Sequence, residues 1–113
     1  MYDEGYLNIF NMDISTVCIE TMSERNNKLR PLMNWAVMDV RDLKYQNEMF
    51  DLIIDKSTID ALLCGDYAYL NVAIMLKECQ RVLKTGGYYM AISYGQPENR
   101  EFHYKREHLN FEL

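Results

Sequence analysis

The chain divides into short apolar runs separated by polar or amphipathic stretches. LNIFNM (7–12) is apolar-rich and too short for a helix, and it predicts a strand that stops at Asp13. From about Thr16 to Arg25 the apolar spacing becomes helical, with Ile14, Val17, Cys18 and Met22 on one face. NKLRPL follows as a loop, because Pro31 has a fixed φ and no N–H with which to continue a helix. MNWAVM (33–38) is a second strand, ending at Asp39, and VRDLKYQNEM after it is polar and irregular. FDLIID (50–55) is a third strand, whose unbroken apolar centre suits a strand covered on both faces. Ser57 and Asp60 match a capping box, so a helix should begin at about Thr58. The longest helix is expected from about Tyr67 to Lys84, with Val72, Met75, Leu76, Cys79 and Leu83 as its stripe and Gly86-Gly87 as its stop. YYMAIS (88–93) is the fourth strand, and the tail QPENREFHYKREHLNFEL reads as loop and a ragged helix.

Strands alternating with helices imply an α/β fold, a Rossmann-like parallel sheet with flanking helices, in a single domain spanning residues 1–113. All carboxyl ends of such a sheet lie on one edge, and ligands bind there. Three of the four strands end in a polar cluster: Asp13-Ile14-Ser15, Asp39-Val40-Arg41 and Asp55-Lys56-Ser57. One acid at a strand end ordinarily caps the strand and begins a turn. Three at the same topological position favour a site. A carboxylate at Asp13 could accept two hydrogen bonds from a ribose diol; its alternative is an N-cap, which Ser15 could supply instead. Asp39 could take the exocyclic amine of an adenine while the next backbone N–H donates to the ring, with Ile14 and Val40 against its flat faces. Asp55 could hold an ammonium group. Lys56 could neutralise an acid or touch a cofactor through its backbone; the alternative is a solvated Asp–Lys pair of little energetic value.

Composition narrows the partners. Hydrophobic residues make up 49% of the chain, enough for a core, and the net charge of −5 argues against nucleic acid or a membrane surface as partner. No apolar run reaches membrane-spanning length, and MYDEGYLNIF is neither a signal nor a transit peptide. Cys18, Cys64 and Cys79 are singly spaced and odd in number, which suits reduced core or near-core thiols in a cytoplasmic protein. His103 and His108 lack carboxylate or thiolate support, so they are expected to be solvated and no metal site is predicted. Most of the nine tyrosines should pack on the sheet; Tyr94, just past the last strand, is the best candidate to line a site.

The order GY-NI-N-DIS, W-MDVRDL, FDLIIDKSTIDALLCG and ECQRVLKTGGYY resembles the S-adenosylmethionine-dependent class I methyltransferases. MDVR followed by FDLIIDKSTIDALL is similar to a subfamily of small protein-lysine methyltransferases, once described together with endothelin-converting enzyme. Some of its members modify translation elongation factor 1-alpha. RVLKTGG is common across the superfamily, whereas DKSTIDALL is much more specific. The resemblance covers residues 1 to about 108. It implies S-adenosylmethionine as cofactor, a protein substrate and transfer of a methyl group to a lysine. Asp13 is similar to the acid that binds the cofactor ribose, with Ile14 beside the adenine. Asp39 and Val40 match the pair on the adenine, Lys56 matches a cofactor-site lysine, and Asp55 lies where the methionine part would pass. Catalysis of this kind is chiefly in-line positioning, so no covalent nucleophile is required and no catalytic residue is assigned.

The chain departs from the pattern in one respect. The family begins with a strand and an acid-x-Gly-x-Gly loop, whereas the five glycines here (Gly5, Gly65, Gly86, Gly87, Gly95) form no GxG. The sequence therefore reads as a central portion that begins after this loop and ends before the last two strands of the family sheet, with weak cofactor binding expected. The rival is a non-catalytic interaction module or remnant of the fold. A nicotinamide-nucleotide fragment is a third reading, opposed by MDVR and DKSTIDALL. The strands at 7–12 and 50–55 should lack the neighbour that the family places between them. They would then pair directly with one another or, as favoured here, promote self-association.

Overall fold

The computed structural model describes residues 1–107, 109 and 111. They fall into two compact units, Met1–Val40 and Arg41–Leu113.

The first unit holds β1 (Phe10–Asp13), α1 (Thr16–Asn26) and β2 (Asn34–Val37). β1 and β2 form a two-stranded parallel sheet in register from Phe10↔Asn34 to Asp13↔Val37. The strand therefore sits later than the apolar run 7–12 and includes Asp13, because a ladder extends only where its partner does and β2 offers four residues. Ser15 caps α1 as expected, its Oγ accepting from the Cys18 N–H at 3.2 Å. The expected apolar face is not the buried one. Ile14 and Val17 are 68% and 72% exposed, and Cys18 is exposed as well. Ile19 and Asn26 are buried instead, with Met22 and Ser23 half-buried between them. Packing on the β1–β2 ladder selects the half-polar stripe through Ile19, Met22, Ser23 and Asn26 over the more apolar one through Val17 and Cys18. Asn26 tolerates burial because its amide is satisfied: Nδ2 donates to the Met22 carbonyl at 2.7 Å and Oδ1 accepts from Arg30 at 2.9 Å. Arg30 reaches on to Asp3 through two bonds of 3.2 and 2.8 Å, tying the 3-10 turn Tyr2–Glu4 to the end of α1.

The second unit holds β3 (Phe50–Lys56), α2 (Thr58–Leu63), α3 (Ala68–Val82), β4 (Leu83–Ile92) and α4 (Glu101–Tyr104), with a 3-10 turn at Pro97–Asn99. β3 and β4 form the second parallel sheet, in register from Leu52↔Tyr88 to Lys56↔Ile92. Val72, Met75, Leu76 and Cys79 are buried along α3 as their spacing predicts, joined by Val82 and by Ile59 of α2. Each such side chain removed from water stabilises the fold by roughly 1.5–3 kcal/mol. Helix α3 ends at Val82, short of Lys84, because Leu83 leaves to pair with Phe50. Farther on, Gly87 is a close-approach position: a Cβ there would lie 2.9 Å from the Asp51 and Lys84 carbonyl oxygens.

Three further expectations are corrected here. The unbroken apolar centre of β3 is covered on one face, not two: Leu52 and Ile54 are 37% and 44% exposed, alongside Tyr88, Met90 and Ile92 of β4. His103 is buried, not solvated, with its ring against Tyr69 and Phe102 in α4's seat on α3. Burial, with Arg106 and Arg100 adding to it, pulls its pKa down to about 4. His108 lies outside the described residues. Of the cysteines only Cys79 is buried, which pushes its thiol up to about 12, while Cys18 and Cys64 are exposed. The residues 42–49 are irregular as expected, yet firmly held. The Arg81 guanidinium donates to the Leu43 and Tyr45 carbonyls (both 2.9 Å), to Asn47 Oδ1 (2.8 Å) and to both oxygens of Glu78 (3.2 and 2.7 Å).

Candidate active site

In the first unit the parallel ladder carries both strand ends to one edge, and the candidate residues there come from two loops. Asp13 is the last residue of β1 and is exposed. Its Oδ1 accepts from the Ser15 N–H at 2.9 Å, which presets the carboxylate at the head of α1. Its backbone carbonyl accepts from the Met38 N–H at 3.0 Å, so the turn that follows β2 is stitched to the end of β1. Asp39 and Val40 come next, both half-buried, and Ile14 stands exposed beside Asp13 in the chain. Asp13, Ile14, Asp39 and Val40 thus share the carboxyl edge of this sheet.

In the second unit Asp55 and Lys56 end β3, and the two differ sharply. Asp55 is 6% exposed. Its Oδ1 accepts from the Thr58 N–H at 2.7 Å, and its Oδ2 from the Ile59 N–H at 3.3 Å and the Tyr89 hydroxyl at 2.6 Å. Asp55 is therefore the cap of α2. Ser57, expected in that role, makes no side-chain cap bond; it adopts the left-handed conformation (φ 64°) that lets the chain double back so that Asp55 can reach forward. Burial and the adjacent carboxylate raise the Tyr89 pKa well above its ordinary value, so the hydroxyl stays protonated and donates. Lys56 points to the exposed side and pairs in register with Ile92.

Asp60, expected to complete the capping box, instead reaches the segment after β4. The Ser93 hydroxyl donates to its Oδ1 at 2.5 Å, the Tyr94 N–H to its Oδ2 at 3.0 Å and Arg100 Nη2 to its Oδ1 at 3.1 Å. The Ser93 bond first, then the Tyr94 N–H and Arg100, hold its carboxyl below the usual carboxylate range. Ser93 Oγ also accepts from the Gly95 N–H at 3.1 Å and from Arg100 Nε at 3.3 Å. The sequence signal for this cluster was the Asp60 of DKSTIDALL, which its spacing from Ser57 disguised as a cap. Among the described residues no group of three or more His, Cys, Asp or Glu side chains is placed to hold a metal ion, and no helix is long and apolar enough to cross a membrane.

Parallel strands with polar groups at their carboxyl ends are the arrangement in which open α/β sheets bind their ligands. Comparison with known proteins is narrower. Residues 1–91 match the family model described as "Methyltransferase domain". The chain is 42% identical over 98 residues to the mouse (Mus musculus) eEF1A lysine and N-terminal methyltransferase, covering 85% of this chain and 14% of that protein. It is 40% identical over 98 residues to the Homo sapiens protein of the same name, again covering 85% and 14%. To the Bos taurus EEF1A lysine methyltransferase 4 it is 30% identical over 117 residues, covering 96% of this chain and 46% of that one. Among solved structures, that of the PH0226 protein from Pyrococcus horikoshii OT3 superposes with a TM-score of 0.68 at 26% identity, over 79% of this chain and 39% of that one. The chain belongs to the class I methyltransferases. It spans about one seventh of the length of the eEF1A lysine and N-terminal methyltransferases and under half that of the EEF1A lysine methyltransferase 4.

Proposed function

We propose that this chain serves a protein-lysine methyltransferase that takes S-adenosylmethionine as methyl donor and translation elongation factor 1A as acceptor, in the cytoplasm. The observation that carries the reading is Asp13: an exposed carboxylate at the end of a parallel strand, preset by the Ser15 N–H and needed by no cap, since Ser15 caps α1. Such a group is suited to the two hydroxyls of a ribose. Ile14, left outside the core, offers an apolar face to the adenine, and Asp39 and Val40 supply polar and apolar contacts to the same ring. In the second unit, taken by itself, Asp55 has both oxygens engaged in the fold and holds the turn that follows Lys56.

Bound S-adenosylmethionine supplies an electrophilic methyl group on a sulfonium. What remains for the protein is to hold an uncharged lysine amine in line with it, and orientation of this kind lowers a barrier by several kcal/mol without a covalent intermediate. Without a GxG loop the chain's own affinity for the cofactor is weak, and the open edges of two-stranded sheets favour self-association. Isothermal titration with S-adenosylhomocysteine, alongside transfer of a labelled methyl group to elongation factor 1A, tests the reading. Binding weaker than micromolar is expected, lost on Asp13→Ala and kept on Glu20→Ala. Binding that survives Asp13→Ala unchanged overturns the ribose assignment.

A further inference from the structure

We infer that Tyr94 is a recognition platform for the acceptor: its ring receives the side-chain ammonium of the incoming lysine at the carboxyl edge of the β3–β4 sheet. The inference rests on the proposed function and adds to it a residue that selects the substrate. The carboxyl ends of β3 and β4 are flush, because Lys56 pairs with Ile92 and the Ser57 N–H donates to the Ile92 carbonyl at 2.9 Å. Just past β4 the chain enters a turn whose backbone is pinned at successive positions: Tyr94 N–H to Asp60 Oδ2, Gly95 N–H to Ser93 Oγ. Arg100 closes the turn from the other side, bonded to Asp60 and to Ser93. The Arg100 guanidinium lies directly over Gly95, so a Cβ there would require the arginine end to shift.

All of this order surrounds a residue whose own side chain the fold does not use. Tyr94 is 93% exposed, more than any other large hydrophobic residue among those described. The pinned backbone fixes where the ring is presented, so only its own two side-chain torsions remain to be ordered when it meets a ligand. Chemistry sets the ligand class. An aromatic face attracts a cation, and an exposed contact of this kind is worth a factor of about two to five in affinity. The chain's net charge of −5 favours a basic approach as well. Tyr94 is thus a specificity residue: it gathers the lysine before transfer and takes no part in proton or methyl movement.

The test monitors the Tyr94 ring resonances by NMR, in the full 113-residue chain, during titration with Nα-acetyl-lysine methylamide. The norleucine analogue, similar in length but uncharged, is the control. The lysine compound should shift the ring resonances and bind about fivefold more weakly to Tyr94→Ala, while Tyr94→Phe keeps the affinity. Asp60→Asn, which loosens the turn and leaves the ring in place, should weaken binding to a smaller extent. Equal shifts from the norleucine analogue, or unchanged lysine affinity in Tyr94→Ala, overturn the inference. The readout needs neither cofactor nor turnover. A chain that transfers no methyl group to elongation factor 1A would count against the proposed function, while the ring shifts decide the role of Tyr94 separately.

Discussion

Asp13 and Asp55 occupy equivalent places, each at the carboxyl end of the first strand of a parallel pair and each ahead of a helix. Their fates are opposite. Asp13 is exposed and accepts one bond, from a backbone N–H two residues on. Asp55 is buried and accepts three, two of them from the first turn of α2 and one from a tyrosine on the neighbouring strand. The serine two residues downstream of each acid makes the difference. After Asp13, Ser15 in extended conformation takes the capping role and frees the acid. After Asp55, Ser57 in the left-handed conformation makes no cap bond to the helix, and the acid caps in its place. A strand-end carboxylate is available to a ligand only when some other group satisfies the helix behind it.

The sharpest way to break this contrast is to remove each acid in turn. Asp55→Ala deletes a helix cap and strands a buried tyrosine hydroxyl, a loss of about 3 kcal/mol when both are counted. Asp13→Ala should cost less than about 0.5 kcal/mol, as an exposed position does. Urea unfolding of the two variants measures the contrast, and equal destabilisation would erase it.

An effect that nears that of Asp55→Ala in size only toward pH 4, and is smaller above it, bears on the part of the second unit that the acids do not hold. His103 is buried with its pKa lowered to about 4, so the folded state resists a proton that the unfolded chain accepts near pH 6.5. Its contribution is therefore complete above pH 6.5 and is lost as pH falls from there toward 4, to a limit of about 3 kcal/mol. Stability measured at pH 7, 5.5 and 4.5 should decline faster in the parent chain than in His103→Gln. Parallel declines would mean that α4 opens before His103 titrates.

The smallest change probes why Asp55 caps at all. Ser57 has φ 64°, a conformation disfavoured for any residue with a Cβ. Ser57→Gly should therefore stabilise by about 0.5 kcal/mol, the relief of strain being partly offset by a more flexible unfolded chain. Ser57→Val should destabilise. A glycine that weakens the fold would show that the serine hydroxyl has a use beyond the turn.

By itself the sequence determined the elements, their alternation and the family. Local rules sufficed for these. Serine before a helical stripe caps α1, the Val72-to-Cys79 spacing buries one side of α3, and acids fall where strands stop. The irregular loop at 42–49 was equally legible, although its anchoring was not, since nothing local marks Arg81 as the residue whose guanidinium holds it. Choices between locally equivalent partners were left to the tertiary structure. The stripe of α1 through Val17 and Cys18 is the more apolar by sequence, yet the β1–β2 ladder decided in favour of Ile19 and Asn26. Ser57-to-Asp60 has the spacing of a capping box, but Ser93 and Arg100, 33 and 40 residues away, offered Asp60 stronger bonds and left the helix to Asp55. His103 looks solvated among its charged neighbours, and only the packing of α4 against Tyr69 takes it out of water. Spacing along a chain lists the partners a polar group could take. Which one it takes depends on which other donors the fold brings within about 3 Å, and that is a property of distant residues.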